Sequence, residues 1–259
     1  MSGRADKMEI SEAFLHKEAI ERFAETLPDE VPMNYRLLGF FSGFPSRSFP
    51  GDVAGRLREE LTQRDSLVLV SAWPAEYEKN DGDADGMHGM FEEIGLPFAR
   101  HHVIDDRTAP SDAAQWIREA SCVFLMGGHP GLQWQLLRET GFDDAIRHSS
   151  AAVLGISAGA INMAKRALDT KASPIPYDGL GFANITVTPH FVPEDGQVLS
   201  TLPRISMDLP ICAMEDDSAI FVAGDRISSM GEIHSIQQGR ICPLWQNHLL
   251  FSRIDDCKN

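Results

Sequence analysis

The chain has 259 residues, 43% of them hydrophobic and 24% charged, the balance of a globular protein with a large core and not of a disordered or collagenous chain. With 23 Lys and Arg against 38 Asp and Glu the formal charge is −15, and no stretch gathers cations into a stripe, so nucleic acid and anionic membrane surfaces are excluded as partners. No run approaches the ~18 apolar residues of a membrane span, the N-terminus has no uninterrupted apolar leader, and four scattered cysteines make no disulfide scaffold, so a cytoplasmic protein is expected.

Residues 1–34 read as an N-terminal helical extension: Ile20, Phe23, Ala24 and Leu27 share one face, Pro28 stops the helix, and the apolar face should cover the body or a second subunit, a homodimer. Residues 35–259 read as a single α/β domain. Strands are predicted at 35–41, 66–72, 98–104, 121–126, 152–156 and 185–189. Helices lie between them, one with Val53, Leu57 and Leu61 at spacing four, another with Leu132, Leu136 and Leu137 on one face. This alternation predicts a mostly parallel central sheet with helices on both faces. After about residue 210 the short runs 211–214, 219–223 and 226–230 predict antiparallel hairpins at the C-terminal edge. Cys122, Cys212 and Cys242 should pack as small hydrophobes, with Cys257 a tail thiol.

Residues 81–92 match the calcium-loop formula D-x-D-x-D-G-x5-E. An incoming helix has no room after the preceding strand, and position eight is His88, so Asp81, Asp83 and Asp85 are expected in a solvated turn capping a helix with Met87, Met90 and Phe91. The sequon at Asn184, Ile185 and Thr186 falls on a predicted core strand.

Chemistry concentrates at Gly155-Ile156-Ser157-Ala158-Gly159, between an apolar run and a helix-compatible stretch, the strand–turn–helix context of a nucleophile elbow. The glycines admit the tight turn, Ser157 stands at the carboxyl end of the sheet, and the Ala158 N–H points where an oxyanion would form. A serine hydroxyl needs a base. Of nine histidines, His190 ends the strand-like run 185–189 beside the elbow; His16, His101, His102, His148, His234 and His248 are left as structural or exposed.

Met126-Gly127-Gly128, the helix at 131–140, the elbow, Pro189-His190-Phe191 and Met214-Glu215-Asp216-Asp217-Ser218-Ala219, in order over about 35–235, together resemble the peptidase E (aspartyl dipeptidase) and cyanophycinase family. The resemblance implies a flavodoxin-like, glutamine amidotransferase-like fold, and a serine hydrolase that cleaves small peptides or amides. It makes Ser157 nucleophile and His190 base, with an oxyanion hole from the Gly128 and Ala158 N–H groups and Gly127, His129 and Arg204 toward substrate. The triad acid falls on Asp216, with Glu215 and Asp169 as alternates. Two departures stand out. The loop reads Gly127-Gly128-His129-Pro130, losing a donor at Pro130, and only Arg204 remains of a family arginine pair, so specificity should not be strictly aspartyl.

No metal or organic cofactor is expected, because zinc-spaced ligands, G-x-G-x-x-G and P-loop motifs are lacking. The alternatives are an α/β-hydrolase esterase pairing Ser157 with a later His234 or His248, and a non-catalytic binding protein that kept the fold.

Overall fold

A computed structural model describes residues 36–171, 173–224 and 226–244; the expected N-terminal helix, His16, His248 and Cys257 lie outside them. The chain alternates β1 (Leu37–Phe41), α1 (Gly51–Glu60), β2 (Leu67–Val70), α2 (Tyr77–Glu93), β3 (His101–Ile104), α3 (Pro110–Glu119), β4 (Cys122–Leu125), α4 (Pro130–Thr140), α5 (Phe142–His148), β5 (Ala152–Ile156) and α6 (Ala158–Met163). A hairpin of β6 (Arg166–Asp169) and β7 (Ser173–Asp178) follows, then β8 (Val187–Thr188), α7 (Gly196–Ile205), β9 (Ile211–Met214), β10 (Ala219–Ala223), β11 (Arg226–Met230), β12 (Ile233–Gln237) and β13 (Arg240–Pro243).

The central sheet has seven strands in the order β11-β10-β1-β5-β4-β2-β3, parallel from β1 to β3 and antiparallel at β10 and β11. Its parallel strands are apolar on both faces because helices cover both. Leu67, Leu69, Phe124 and Leu154 pack with Val53 and Leu57 of α1 and Phe91 of α2, whereas Val68, Val70, Val123 and Val153 pack with Ile117 of α3, Leu136 and Leu137 of α4 and Ile146 of α5. The mostly parallel α/β architecture and the edge hairpin at 219–230 agree with the sequence reading.

Two expected sheet strands go elsewhere. The run at 185–189 contributes only β8, and 211–214 forms β9; both belong to a second sheet of order β13-β12-β9-β8. The physical reason is that β10 already pairs along the whole outer edge of β1, from Leu37 opposite Ala223 to Phe41 opposite Ala219, leaving no vacant edge there. One face of this second sheet completes the main core through Val187, Cys212, Met214 and Ile233; the other shares a small core with Leu202 of α7.

Three local expectations are also corrected. The helix expected to carry Met87, Met90 and Phe91 is present, but Asp81, Asp83 and Asp85 lie within it and not in a solvated turn before it: α2 starts at Tyr77, and burial of Asn80, Ala84, Met90 and Phe91 overrides the low helix propensity of its Asp and Gly residues. Of its carboxylates, Asp81 pairs with Arg107 and Asp83 with Lys79, and Asp85 lies 3.3 Å from His101 Nε2. On α4 the inward face is Gln133, Leu136 and Leu137, and Leu132 is exposed. Burial pushes the Cys122 thiol far up and that of Cys212 up to about 12, whereas Cys242 is disulfide-bonded and not a free small hydrophobe.

Candidate active site

The elbow is built where β5 ends. Gly155 and Gly159 are needed because the strand and α6 touch there: a Cβ on Gly155 would come 2.7 Å from the Gly159 carbonyl carbon, and one on Gly159 only 2.1 Å from the Leu125 carbonyl oxygen. Between them Ser157 sits at φ 52° and ψ −109°, a left-handed conformation rare for a residue with a Cβ. It is fixed on both sides, its N–H donating to Phe41 O at 2.9 Å and its carbonyl accepting from the Ile161 N–H at 3.0 Å. Strained backbone held this firmly is characteristic of functional positions.

His190 follows β8 in a left-handed conformation, φ 57°. Its Nε2 lies 3.0 Å from Ser157 Oγ and its Nδ1 2.6 Å from Asp216 Oδ1, in the turn between β9 and β10. The end of β1 ties these three segments together. Phe41 O holds Ser157. Ser42 Oγ, fully buried, accepts the His190 N–H at 2.8 Å and donates to Met214 O at 2.9 Å. Gly43 O accepts the Asp217 N–H at 2.7 Å, and a Cβ on Gly43 would fall 2.5 Å from His190 Cε1 and 2.6 Å from Asp216 Oδ1. Phe41 itself is clamped by the rings of Phe44, Phe49, Phe124 and Phe221, so this strand end is a rigid mount.

The facing wall is the loop after β4. Gly128 has φ 143°, and a Cβ there would strike Trp73 Nε1; a Cβ on Gly127 would come within ordinary contact, 3.5 Å, of Ser157 Cβ. Beneath it, buried Gln133 donates to Val70 O and Met126 O, and Asn162 of α6 donates to Pro130 O and Gln133 Oε1 and accepts from Tyr177. This network locks the loop to the elbow helix. Ala158 opens α6, so its N–H has no carbonyl one turn back to bond. Ser157, Gly128 and His190 together line a cavity of about 240 Å³.

The match to known proteins decides the family. Residues 75–230 fit the model of peptidase family S51. The chain belongs to that family, the peptidase E family. It is accordingly a serine-type peptidase. The S51 fold recurs in a solved peptidase from an acI-B1 actinobacterium, 16% identical, with a TM-score of 0.64 over 83% of this chain and 96% of that one. It recurs too in a Listeria monocytogenes EGD-e protein named for peptidase E, 17% identical, with a TM-score of 0.57 over 75% of this chain and 98% of that one. No functionally curated protein matches the chain.

The remaining expected residues of this S51 peptidase divide. His129 lines the cavity, but its Nδ1 caps α4 by accepting the Leu132 N–H at 3.2 Å, and its ring meets Trp73 edge-on. Glu215 pairs with His234 at 2.7 Å and not with His190, an engagement that also occupies the Nε2 of His234. Asp169 lines the cavity at the end of β6 without a hydrogen bond to His190, accepting the Lys171 N–H at 3.0 Å; its charge adds to burial in pushing the Tyr177 hydroxyl up. Arg204 is not brought to the site. It lies exposed on α7, its guanidinium donating to Ser200 O, because α7 packs its apolar face under the second sheet and turns Arg204 outward. Sequence reasoning missed Ser42, Gly43, Trp73, Thr170 and Lys171. Only Ser42 and Gly43 carried a readable signal, their place at the carboxyl end of a sheet strand, where α/β sites form.

Proposed function

We propose that this S51 peptidase is an exopeptidase acting on small peptides or amides through an acyl-enzyme on Ser157. The observation that carries it is the unbroken chain Ser157 Oγ, His190 Nε2, His190 Nδ1, Asp216 Oδ1, at 3.0 and 2.6 Å, opening on a small cavity. In this reading His190 takes the hydroxyl proton as Oγ attacks the scissile carbonyl. Asp216 holds the Nδ1–H and balances the imidazolium, and the Gly128 and Ala158 N–H groups receive the oxyanion. His190 then protonates the leaving amine, and water attacks the acyl-enzyme by the reverse proton path. A cavity of about 240 Å³ lies below the roughly 300–1,000 Å³ of sites for drug-sized ligands, which favours substrates of about dipeptide size. With Arg204 away from the cavity, no arginine among the described lining residues is there to enforce a strict aspartyl preference. Mass spectrometry of a mixed dipeptide library, with Asp-X and isoaspartyl members included, tests the reading: members should disappear with wild type and persist with Ser157→Ala. A folded wild type that consumes none would exclude it.

A further inference from the structure

The proposed mechanism leaves one charged pair of the cavity wall without a task. Asp169 and Lys171 lie two residues apart where β6 gives way to the turn before β7, and both line the same cavity as Ser157 and Gly128. Among the described lining residues they are the only Asp, Glu, Lys or Arg side chains. Asp169 is only 9% exposed, a short side chain fixed at the base of the turn by the Lys171 N–H, whereas Lys171 is long and exposed at the rim. His190 already has its carboxylate in Asp216, so Asp169 is not required there.

We infer that Asp169 and Lys171 form a terminus-reading subsite, Asp169 receiving the α-ammonium of a short peptide and Lys171 its α-carboxylate. This rests on the exopeptidase reading above and deepens it. A carboxylate this shielded gains most from a cation that arrives with hydrogen atoms to donate, and a primary ammonium brings three. The opposite charges suit a zwitterion, and the cavity is too small for a long chain between its ends. The subsite takes over the anion-binding part expected of Arg204. It reads chain ends, not a side chain, so it selects for length and free termini across many residue types. A lysine meets carboxylate as a mobile point charge, so the carboxylate arm should discriminate less sharply than the buried ammonium arm.

The test uses the full chain and one mixed dipeptide library in three forms: free, N-acetylated and C-amidated, each followed by mass spectrometry with wild type, Ser157→Ala, Asp169→Asn and Lys171→Met. Wild type should cleave the free form at least about tenfold faster than the N-acetylated form and about threefold faster than the amide. Asp169→Asn should bring the free-to-acetylated ratio toward one and keep the free-to-amide ratio; Lys171→Met should do the reverse. Wild type that cleaves blocked and free forms equally overturns the subsite while leaving the peptidase reading intact, as would Asp169→Asn slowing all three forms alike. Should Asp169→Asn fail to fold, the wild-type comparison and Lys171→Met, an exposed position, still decide the two arms. If no form is cleaved in a Ser157-dependent way, the peptidase reading itself fails and the subsite falls with it.

Discussion

The two halves of the candidate triad are held by different kinds of structure. Ser157 is shaped mainly by its own neighbourhood, two glycines within two residues of it and helix and strand on either side, with its N–H bonded to Phe41 O of β1. His190 and Asp216 come from a second sheet and are held by bonds that span the chain, such as the one from the His190 N–H to Ser42, 148 residues earlier. Ser157 therefore depends chiefly on a short stretch of sequence whose two glycines leave no room for a Cβ. The acid–base pair depends on two sheets meeting correctly at the end of β1. A local turn can be strained and still persist, since the surrounding backbone over-determines it; a long-range pair needs a rigid third party, and Ser42 with Gly43 supplies it.

That contrast can be attacked from both sides. The largest effect should come from Ser157→Ala, which is expected to lower kcat by about 10⁶ with the melting temperature little changed; steady-state rates on the best library peptide measure it. Asp216→Asn keeps shape but removes the charge that fixes the Nδ1–H tautomer, and should cost about 10⁴ in kcat. The companion Glu215→Gln, whose carboxylate faces His234, should leave kcat within about threefold; a reversal of the two would move the acid to the alternate residue. Ser42→Ala leaves the His190 N–H without its acceptor and should lower kcat up to about 10²-fold at unchanged KM, with Ser42→Thr recovering most of the loss. Equal losses in Ser42→Ala and Ser42→Thr would mean packing, not the hydroxyl, matters there. Smallest of all, Arg204→Ala should change kcat/KM by less than about twofold on Asp-X members of the library, since the exposed guanidinium does not line the cavity.

Legibility in the sequence followed the same division. The parallel sheet was readable because β2, β4 and β5 are short apolar runs buried on both faces, and the elbow because its glycines stand close together in sequence between a strand and a helix, although one answers to near neighbours and the other to Leu125 of β4. Local propensity misjudged only where α2 begins: Asp81, Asp83 and Asp85 favour a turn, yet burial of Asn80 and Ala84 carries the helix back to Tyr77. Periodicity assigned 185–189 to the main sheet, because a strand carries no label for the edge it joins.

By itself, then, the sequence determined the α/β class and the elbow around Ser157, because both are written in neighbouring residues: hydrophobic spacing and two glycines flanking one tight turn. Tertiary structure alone decided which carboxylate faces His190, that Arg204 turns to solvent, and that Asp169 and Lys171 stand in the cavity wall. Those facts depend on where β10 closes the sheet edge and so diverts β8 and β9 into a second sheet, a competition for backbone hydrogen bonds between segments far apart in the chain.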